Sequence, residues 1–262
     1  MLAAALALHV EVEVVETGRF GVVTDLRIAR DRRNLCVRGF AKLADPAHFE
    51  FRIRSDVPLS GGLGTSAAAY LAGLLAADSI FELDADVLAL ATELEGHPDN
   101  VAAALHGGFV ACVDGDVARL GVPQGLEAVL VVPGEAVRTR DARRALPAEV
   151  AMVDAVVNVG RTAQLVLGLA RGDLSLLSLG LDDRLHQPHR AHLYPRSSAL
   201  VSEARSLGAL GATISGAGPT VLVWTAYETT GSVVGALRER CQGWAEVMRV
   251  PFEEHGADVS EL

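Results

Sequence analysis

Hydrophobic and charged residues alternate strictly along two stretches near the start of the chain, HVEVEVVE at residues 9–16 and FEFRIRSDV at residues 49–57. Alternation with a period of two is typical of a strand that buries one face. We therefore predict strands near residues 8–16 and 49–57, and a further strand near residues 20–29. The apolar residues before position 8 are predicted to be the end of a helix.

The rest of the chain divides into helical and extended segments. Asn34 opens a predicted helix near residues 34–43. Other helices are predicted near residues 66–78, 84–95, 98–106 and 227–241 and, with interruptions, over residues 137–207. Other strands are predicted at residues 107–113, 127–133 and 244–250, and as a pair about a glycine turn over residues 211–224. Runs of strands that are separate from runs of helices favour an α+β fold.

Composition narrows the classes of function. The formal net charge is −10, whereas a nucleic-acid-binding protein would need a basic face. Cys36, Cys112 and Cys241 are odd in number and show no CxxC spacing, so we expect neither a disulfide scaffold nor a zinc site. This cysteine usage favours a reducing, cytoplasmic compartment. The first residues lack the basic start of a signal peptide, and no apolar run is long enough to span a membrane.

The first candidate for chemistry is the loop PLSGGLGTSAAA at residues 58–69, which follows a predicted strand and opens a predicted helix. The start of a helix offers unpaired N–H groups and a positive dipole, which favour phosphate. The glycines alone favour a simple connection and close helix packing over phosphate binding. The stretch matches neither GxGxxG nor GxxxxGK[ST], and the single lysine, Lys42, stands far from it in sequence.

Two further motifs combine polar residues with glycine. EGHPDNVAAALHGG at residues 95–108 places His97, Asp99 and Asn100 at a helix start, where either of the last two residues could be an ordinary cap. Glu95 is a candidate magnesium ligand, because nucleotide-bound Mg²⁺ is usually held by one or two protein oxygens and the phosphates. SGAGPT at residues 215–220 would by itself be a hairpin turn.

Together these motifs resemble the GHMP family of small-molecule kinases, named after galactokinase, homoserine kinase, mevalonate kinase and phosphomevalonate kinase. PLSGGLGTSAA resembles the family's phosphate loop P-x-x-x-G-L-G-S-S-A-A, with Thr65 in place of the first serine, and SGAGPT resembles its C-terminal glycine motif. The stretch EGHPDNVAAALHGG is most similar to homoserine kinases, as are TRDARRALP (139–147) and DRLHQPHR (183–190). The resemblance runs from residue 4 to about residue 250.

The resemblance implies an α+β fold with two lobes. The N-terminal lobe, residues 1–147, would carry a mixed sheet with helices and the phosphate loop, and residues 148–262 would form a ferredoxin-like α/β lobe. The implied reaction is ATP-dependent phosphorylation of the L-homoserine hydroxyl to O-phospho-L-homoserine in threonine biosynthesis. The expected cofactors are ATP and Mg²⁺, and the expected partner is the small-molecule substrate, with no nucleic acid and no membrane. A homodimer is the candidate assembly.

The resemblance also assigns the ATP site by position. The loop would wrap the ATP phosphates, and Asn34 would lie near the adenine. The ATP-binding residues are then Asn34, Pro58, Leu59, Ser60, Gly61, Gly62, Leu63, Gly64, Thr65, Ser66, Ala67 and Ala68. Mg²⁺ would be held by Glu95 together with Ser66 or Thr65.

The implied catalytic residues are Glu95, Ser66 and Asp99, although no strong general base is apparent and Asp99 could instead only orient His97. Phosphoryl transfer depends mainly on positioning and charge stabilisation. The implied substrate-binding residues are His97, Asn100, Arg143, Arg190 and Gly216. The two arginines would bind the substrate carboxylate, which the arginine fork matches. Apart from the resemblance, nothing favours Arg143 over Arg144, since surface arginines are usually solvated or weakly paired.

Two alternatives stay open at this point. One is a kinase of the same family that acts on another small alcohol, such as mevalonate or a sugar, which a substrate panel would reveal. The other is a relative that binds nucleotide with little turnover, which would bind ATP without homoserine-dependent release of ADP.

One motif of the family has no counterpart in this sequence. Homoserine kinases normally open with a strand and loop similar to P-A-S-S-A-N-L-G-x-G-F-D, and MLAAALALHVEVEV aligns only with the part that follows it. We expect Met1 to be an internal methionine that the motif precedes. A naturally shortened, weakened kinase is the alternative.

Overall fold

The computed structural model describes residues 1–58, 61–135, 137 and 139–261. In this part of the chain the strands are β1 (Leu2–Ala4), β2 (Val10–Glu16), β3 (Gly21–Val23), β4 (Phe49–Ser55), β5 (Phe109–Val113), β6 (Asp116–Leu120), β7 (Leu126–Pro133), β8 (Gly211–Ile214), β9 (Val221–Ala226) and β10 (Ala245–Arg249). The helices are α1 (Leu35–Phe40), α2 (Thr65–Phe81), α3 (Val87–Glu95), α4 (Asp99–His106), α5 (Thr139–Arg144), α6 (Met152–Arg171), α7 (Leu174–Leu179), α8 (Gln187–Arg190), α9 (Pro195–Glu203) and α10 (Tyr227–Arg240).

By its internal contacts the chain falls into two compact units. The first unit comprises Met1–Val57, Gly64–Arg119 and Glu253–Leu262, and the second comprises Pro58–Leu63 and Leu120–Phe252. These units are defined by contacts, and β7 accordingly belongs to the second one. The predicted division of the chain after residue 147 stays a prediction.

The first unit contains two three-stranded sheets. One has the order β2-β4-β3, with β4 antiparallel to β2 and parallel to β3, and the other has the order β1-β5-β6. The alternation in β4 predicted its two faces correctly, because Phe49, Phe51 and Ile53 are buried while Arg52 and Arg54 are exposed. The three apolar residues pack with α1 and α2 in one hydrophobic core.

The helix α2 is the central helix of the first unit and packs against α1, α3 and α4. Leu71 and Leu74 of α2 are fully buried, together with Ala91 of α3 and Val101 of α4. Small residues let α1 approach α2 closely. A Cβ atom on Gly73 would overlap the carbonyl oxygen of Cys36 in α1.

The last stretch of the first unit comes from residues that follow the second unit in the chain. The Gly108 N–H group donates to the carbonyl of Glu253, and the Glu253 N–H group donates to the carbonyl of Ala5, both at 2.7–2.9 Å. The Ala257 N–H group donates to the carbonyl of Ala104 at the end of α4. Residues 253–257 therefore hydrogen-bond both to α4 and to the strand region that contains β1 and β5.

The second unit is built on a four-stranded antiparallel sheet with the order β10-β7-β9-β8. The valines of β7 and β9 that face its core, Val129, Val131, Val221 and Val223, are completely buried. They pack with Leu200 of α9 and with residues of α10. The predicted strands at 127–133, 211–224 and 244–250 and the predicted helix at 227–241 are confirmed, each within two or three residues at its ends.

Three elements in the sheets of the first unit differ from the prediction. Residues 2–4 form β1 rather than the end of a helix, because pairing with β5 outweighs the helix propensity of alanine. The predicted strand at 20–29 is only β3, and a turn region follows it. The strand β6 was not predicted. Its signal was present in the turn Asp114–Gly115, where both residues have positive φ, as in the tight turn of a hairpin.

No helix in the described part of the chain is both long enough and apolar enough to cross a membrane.

The close approach of α1 and α2 predicts the effect of one methyl group. Gly73→Ala would place a Cβ atom against the backbone of Cys36 and 2.8 Å from the Phe40 nitrogen, so the two helices would have to separate. We expect the free energy of unfolding to fall by about 1–3 kcal/mol, as for other overpacked cores. Urea unfolding followed by circular dichroism measures this change.

Gly235→Ala in α10 is the matched control, because nothing lies within 4 Å of the Cβ atom that it adds. An alanine at such a helical position should stabilise the protein by about 0.4–1 kcal/mol. If both variants changed stability in the same direction, the packing argument for Gly73 would be wrong.

Candidate functional site

The glycine loop that follows β4 packs against the second glycine motif. The Ser215 hydroxyl donates to the carbonyl of Gly62 at 2.5 Å, and the Thr220 hydroxyl donates to the carbonyl of Gly61 at 3.2 Å. A Cβ atom on Gly61 would lie 2.8 Å from the Gly218 carbonyl oxygen, and one on Gly62 would overlap the Ser215 carbonyl oxygen. Close packing therefore requires these two glycines. The predicted ATP-binding residues Leu59 and Ser60 lie outside the described residues.

The third glycine of the loop begins the helix α2. Gly64 is the N-cap with a left-handed backbone, φ +68°, and no side chain caps this helix end among the described residues. The N–H groups of the first turn are therefore free to bind an anion, and the helix dipole adds to the attraction. A Cβ atom on Gly64 would lie 3.4 Å from the Asn100 side chain. The loop and the predicted residue Asn100 are thus neighbours.

Four predicted residues form a chain of polar contacts beside this helix start. The Ser66 hydroxyl donates to Glu95 Oε1 at 2.6 Å. The same carboxylate oxygen lies 3.8 Å from His97 Nε2, and His97 Nδ1 lies 2.6 Å from Asp99 Oδ1. The structure therefore brings together Ser66, Glu95, His97 and Asp99, which are up to 33 positions apart in the sequence.

The local fold places these side chains with two helix ends. Glu95 is the last residue of α3, and Gly96 ends that helix with φ +87°. The chain then turns through His97 into α4, whose first residue is Asp99. The Asp99 carboxylate accepts a hydrogen bond from the Asn100 N–H group at 3.0 Å, in addition to its contact with His97 Nδ1. Asp99 is thus the first residue of α4 and not its N-cap, which is Pro98, and it also holds one nitrogen of His97.

Asn34 has a clear structural role as the N-cap of α1. Its Oδ1 accepts the Cys36 N–H group at 2.9 Å, and its Nδ2 donates to the Ala29 carbonyl at 2.8 Å. The residue is 4% exposed. Its proposed position near the adenine stays a prediction, and a contact through these two atoms would compete with the cap.

In the second unit, Arg190 is held by backbone carbonyls. Its Nε donates to the carbonyl of Ala142 in α5 at 2.9 Å, and its Nη1 donates to the carbonyl of Gly216 at 3.4 Å. Ala142 directly precedes Arg143, so Arg190, α5 and the second glycine motif meet at one place in this unit. Neither Arg143 nor Arg190 forms an ion pair with a described carboxylate, and the same holds for Arg144. These three arginines are therefore cations without a carboxylate partner among the described residues. Ion pairing does not show whether Arg143 or Arg144 is the better candidate for the substrate carboxylate.

Sequence reasoning missed the residues that hold Arg190 in place. The carboxylate of Asp183 accepts the N–H groups of Leu185, His186 and Gln187 at 2.6–2.9 Å and so fixes the turn that leads into α8. Gln187 Oε1 accepts the N–H group of Ile214 and ties this turn to β8. An aspartate two to four residues before a helix start is a capping signal that was available in DRLHQPHR.

The environment of Asp183 lowers the pKa of its carboxyl group. Burial by itself raises the pKa of this carboxyl, but hydrogen bonding from the His186 side chain and from the backbone N–H groups outweighs burial and holds the pKa well below its usual range. The charged form of Asp183 is therefore part of the folded structure. The described residues contain no group of three or more His, Cys, Asp or Glu side chains that could hold a metal ion on their own.

Comparison with known proteins agrees with the fold and with these motifs. Residues 33–108 match the family described as GHMP kinases N terminal domain, and residues 165–242 match GHMP kinases C terminal. The chain is 39% identical over 265 residues to the homoserine kinase of Carboxydothermus hydrogenoformans, with 95% of this chain and 84% of that protein covered. It is 38% identical over 284 residues to the homoserine kinase of Streptomyces coelicolor, with 100% and 89% covered.

A solved structure gives the same result. The crystal structure of homoserine kinase from Cytophaga hutchinsonii superposes with a TM-score of 0.82 at 30% identity, covering 94% of this chain and 86% of that chain. The chain therefore belongs to the GHMP kinase family and, within it, to the homoserine kinases. This membership confirms the predicted fold class and makes the protein an ATP-dependent kinase with a small-molecule substrate.

The contacts of Asp183 predict a pH-dependent loss of stability on substitution. Because the folded pKa is depressed, the charged carboxylate contributes stability above the pKa of an unfolded aspartate, about 4, and this contribution is lost as the pH falls through the folded value. Asp183→Asn should lower the free energy of unfolding at neutral pH by on the order of 2 kcal/mol. The difference from the unsubstituted protein should shrink below about pH 4.

Urea unfolding at several pH values measures this difference. Asp116→Asn, which changes an exposed aspartate in β6, is the control and should alter stability little at any pH. A deficit of Asp183→Asn that stayed constant down to acid pH would contradict the role of the carboxylate charge.

Proposed function

We propose that the protein transfers the γ-phosphoryl group of ATP to the hydroxyl of L-homoserine and forms O-phospho-L-homoserine. The names of the relatives, which are homoserine kinases at 38–39% identity over most of the chain, support this substrate. The structural observation that carries the proposal is the Ser66–Glu95 pair at the uncapped start of α2. A hydroxyl, a carboxylate and free N–H groups at one helix end are the donors and acceptors that a metal–phosphate group needs.

Mg²⁺ fits the residues beside the helix start. Ser66 and Glu95 offer two hard oxygens, and a nucleotide-bound Mg²⁺ needs only one or two of these from the protein. The side chain of Glu95 is 11% exposed, and the Ser66 hydroxyl donates a hydrogen bond to its carboxylate. Bound Mg²⁺ would neutralise charge on the phosphates as the phosphoryl group transfers. We assign this contact to Ser66 rather than to Thr65, because Ser66 is the residue that contacts Glu95.

The N–H groups at the start of α2 would bind the ATP phosphates. Their partial positive charge does not depend on a lysine, which agrees with the absence of a lysine from the loop. Gly64 lets the chain enter the helix with positive φ and leaves the space beside Asn100 open. Holding the phosphates and the reacting hydroxyl in position is the main contribution that such an enzyme makes.

The residues proposed to bind the amino acid substrate differ in how far hydrogen bonds orient their side chains. Arg190 uses two of its donor nitrogens on backbone carbonyls, so its remaining nitrogen, Nη2, is oriented and without a partner among the described residues. A fixed guanidinium is well suited to a substrate carboxylate. His97 is oriented by Asp99, so we propose that Asp99 acts by holding His97. Asn100, Arg143 and Gly216 remain proposed substrate contacts.

The metal contact can be tested with Glu95→Gln, which keeps the shape of the side chain and removes its charge. We expect kcat to fall about 100- to 1,000-fold, the loss of one preorganised electrostatic contact. We also expect half-maximal activity to require more Mg²⁺ at a fixed ATP concentration. Wild-type activity and Mg²⁺ dependence in a folded variant would remove Glu95 from the proposed site.

The two neighbouring hydroxyls offer a matched comparison. Ser66→Ala removes the group that contacts Glu95, so kcat should fall and the Mg²⁺ requirement should rise. Thr65→Val removes a hydroxyl one position away and keeps the shape of the side chain, so its effect should be much smaller. Equal effects of the two substitutions would contradict the assignment to Ser66.

The carboxylate contact is tested by comparing KM values. Arg190→Ala should raise the KM for homoserine about 10- to 150-fold, the value of a hydrogen bond to a charged group, and should change the KM for ATP little. Arg144→Ala is the control, since this arginine lies exposed in α5 and is not proposed to bind substrate. Equal changes in both KM values for Arg190→Ala would indicate disturbed folding instead of a substrate contact.

A further inference from the structure

The last turn of α4 is held by groups from distant parts of the chain. A helix cannot satisfy its last four carbonyls within itself. In α4 the Ala257 N–H group donates to the carbonyl of Ala104 at 2.9 Å. Arg119 Nε, at the end of the hairpin that contains β6, donates to the carbonyl of His106 at 2.9 Å. The end of this helix therefore depends on Arg119 and on residues 253–257, which we call the tail segment.

Arg119 joins α4 to the tail segment. Its Nε lies 3.2 Å from the carbonyl oxygen of Gly107, and its Nη2 donates both to the carbonyl of Glu254 and, at 2.8 Å, to the Oε1 of the same residue. A surface ion pair by itself contributes little. The contacts with backbone carbonyls are different, because one planar guanidinium fixes two segments of the main chain relative to each other.

Two glycines let the tail segment approach α4 closely. A Cβ atom on Gly256 would overlap the carbonyl oxygen of Leu105, and one on Gly107 would overlap the backbone of His255. Main chain therefore packs directly against main chain at this end of the helix. Because a close-packed contact transmits displacement, α4 cannot move along its axis unless the tail segment moves with it.

The other end of α4 carries candidate residues for the substrate. Its first residue, Asp99, contacts His97 Nδ1 at 2.6 Å, and the side chain of Asn100 lies beside Gly64. The helix has eight residues, which corresponds to about 12 Å, so a shift at its end also displaces its start. Val101 packs in the core and restrains the helix sideways, whereas the contacts of the last turn restrain it along its axis.

We propose that Arg119 and the tail segment are positioning elements of the proposed active site, which set where His97 and Asn100 meet the amino acid. The inference rests on the proposed function, in which these two residues face L-homoserine. The proposed metal–phosphate contacts are held by other helices, since Ser66 lies on α2 and Glu95 on α3. A displaced α4 should therefore impair the use of homoserine more than the use of ATP.

Steady-state kinetics of Arg119→Ala tests the proposal. We expect kcat/KM for homoserine to fall about 10- to 100-fold, the effect of a small misplacement in a site, and the KM for ATP to change little. Arg119→Lys keeps the charge without the planar fork and should recover part of the loss.

Arg52→Ala is the matched control for Arg119→Ala. The Arg52 side chain is 46% exposed, compared with 39% for Arg119, and it pairs with Glu13 of β2 and Glu50 of β4. The substitution therefore removes surface ion pairs from the same unit without touching the end of α4. Both kinetic constants should stay close to those of the unsubstituted protein.

Gly256→Ala disturbs the same contact from the side of the tail segment, because the added methyl group would press against the carbonyl of Leu105. It should show the same selective loss for homoserine. Hydrogen exchange gives a readout that does not use the substrate. In Gly256→Ala and Arg119→Ala the amides of α4 should exchange faster, whereas those of α2 should keep their protection.

The outcomes separate this inference from the proposed function. An unsubstituted protein that does not phosphorylate homoserine would overturn both. An active protein would overturn the inference alone in three cases. These are equal changes in the kinetic constants for homoserine and ATP in Arg119→Ala and Gly256→Ala, an unchanged kcat/KM for homoserine in variants that only lose stability, and unchanged exchange in α4.

Discussion

The hydrogen bond between Ser66 and Glu95 is the interaction on which the proposed chemistry depends. It forms because Ser66 lies in the first turn of α2 and α3 ends at Glu95 beside it. Both helix positions follow from the packing of α2 in the core of the first unit, where Gly73 allows α1 to come close. Core packing in this unit therefore fixes the distance between two residues that share a role in the proposed site.

Much of the fold could be predicted from local sequence patterns. The alternation in β4 and the long apolar run in β7 specify strands. A strand buried on one face alternates apolar and polar residues, and a strand buried on both faces is apolar throughout. The segment Leu2–Ala4 could not be predicted in this way, since its alanines favour a helix and only the partner strand β5 makes it extended. The short hairpin that contains β6 was marked by Asp114 and Gly115 and was overlooked.

The geometry of the proposed site was predicted in part. The motifs indicated Glu95, His97 and Asn100 as candidates, because a cluster of polar residues at a helix end can be recognised from the sequence alone. They could not show that Gly61 and Gly62 are needed for packing against the second glycine motif, since that contact joins segments about 150 residues apart. The role of Asp183 in holding the turn before Arg190 also depends on the folded turn. Arg143 and Arg144 remain alike, since neither forms an ion pair with a carboxylate in the described part of the chain.

Residues 253–257 complete the first unit although they follow the whole second unit in the chain. During synthesis the ribosome releases the chain from its beginning, and domains generally fold as they emerge. The first unit cannot make its contacts with Glu253 and Ala257 until the sequence of the second unit has been translated. Completion of the fold is thereby linked to translation of the later part of the chain, and a transcript that stops within the second unit would yield a first unit with an uncovered α4.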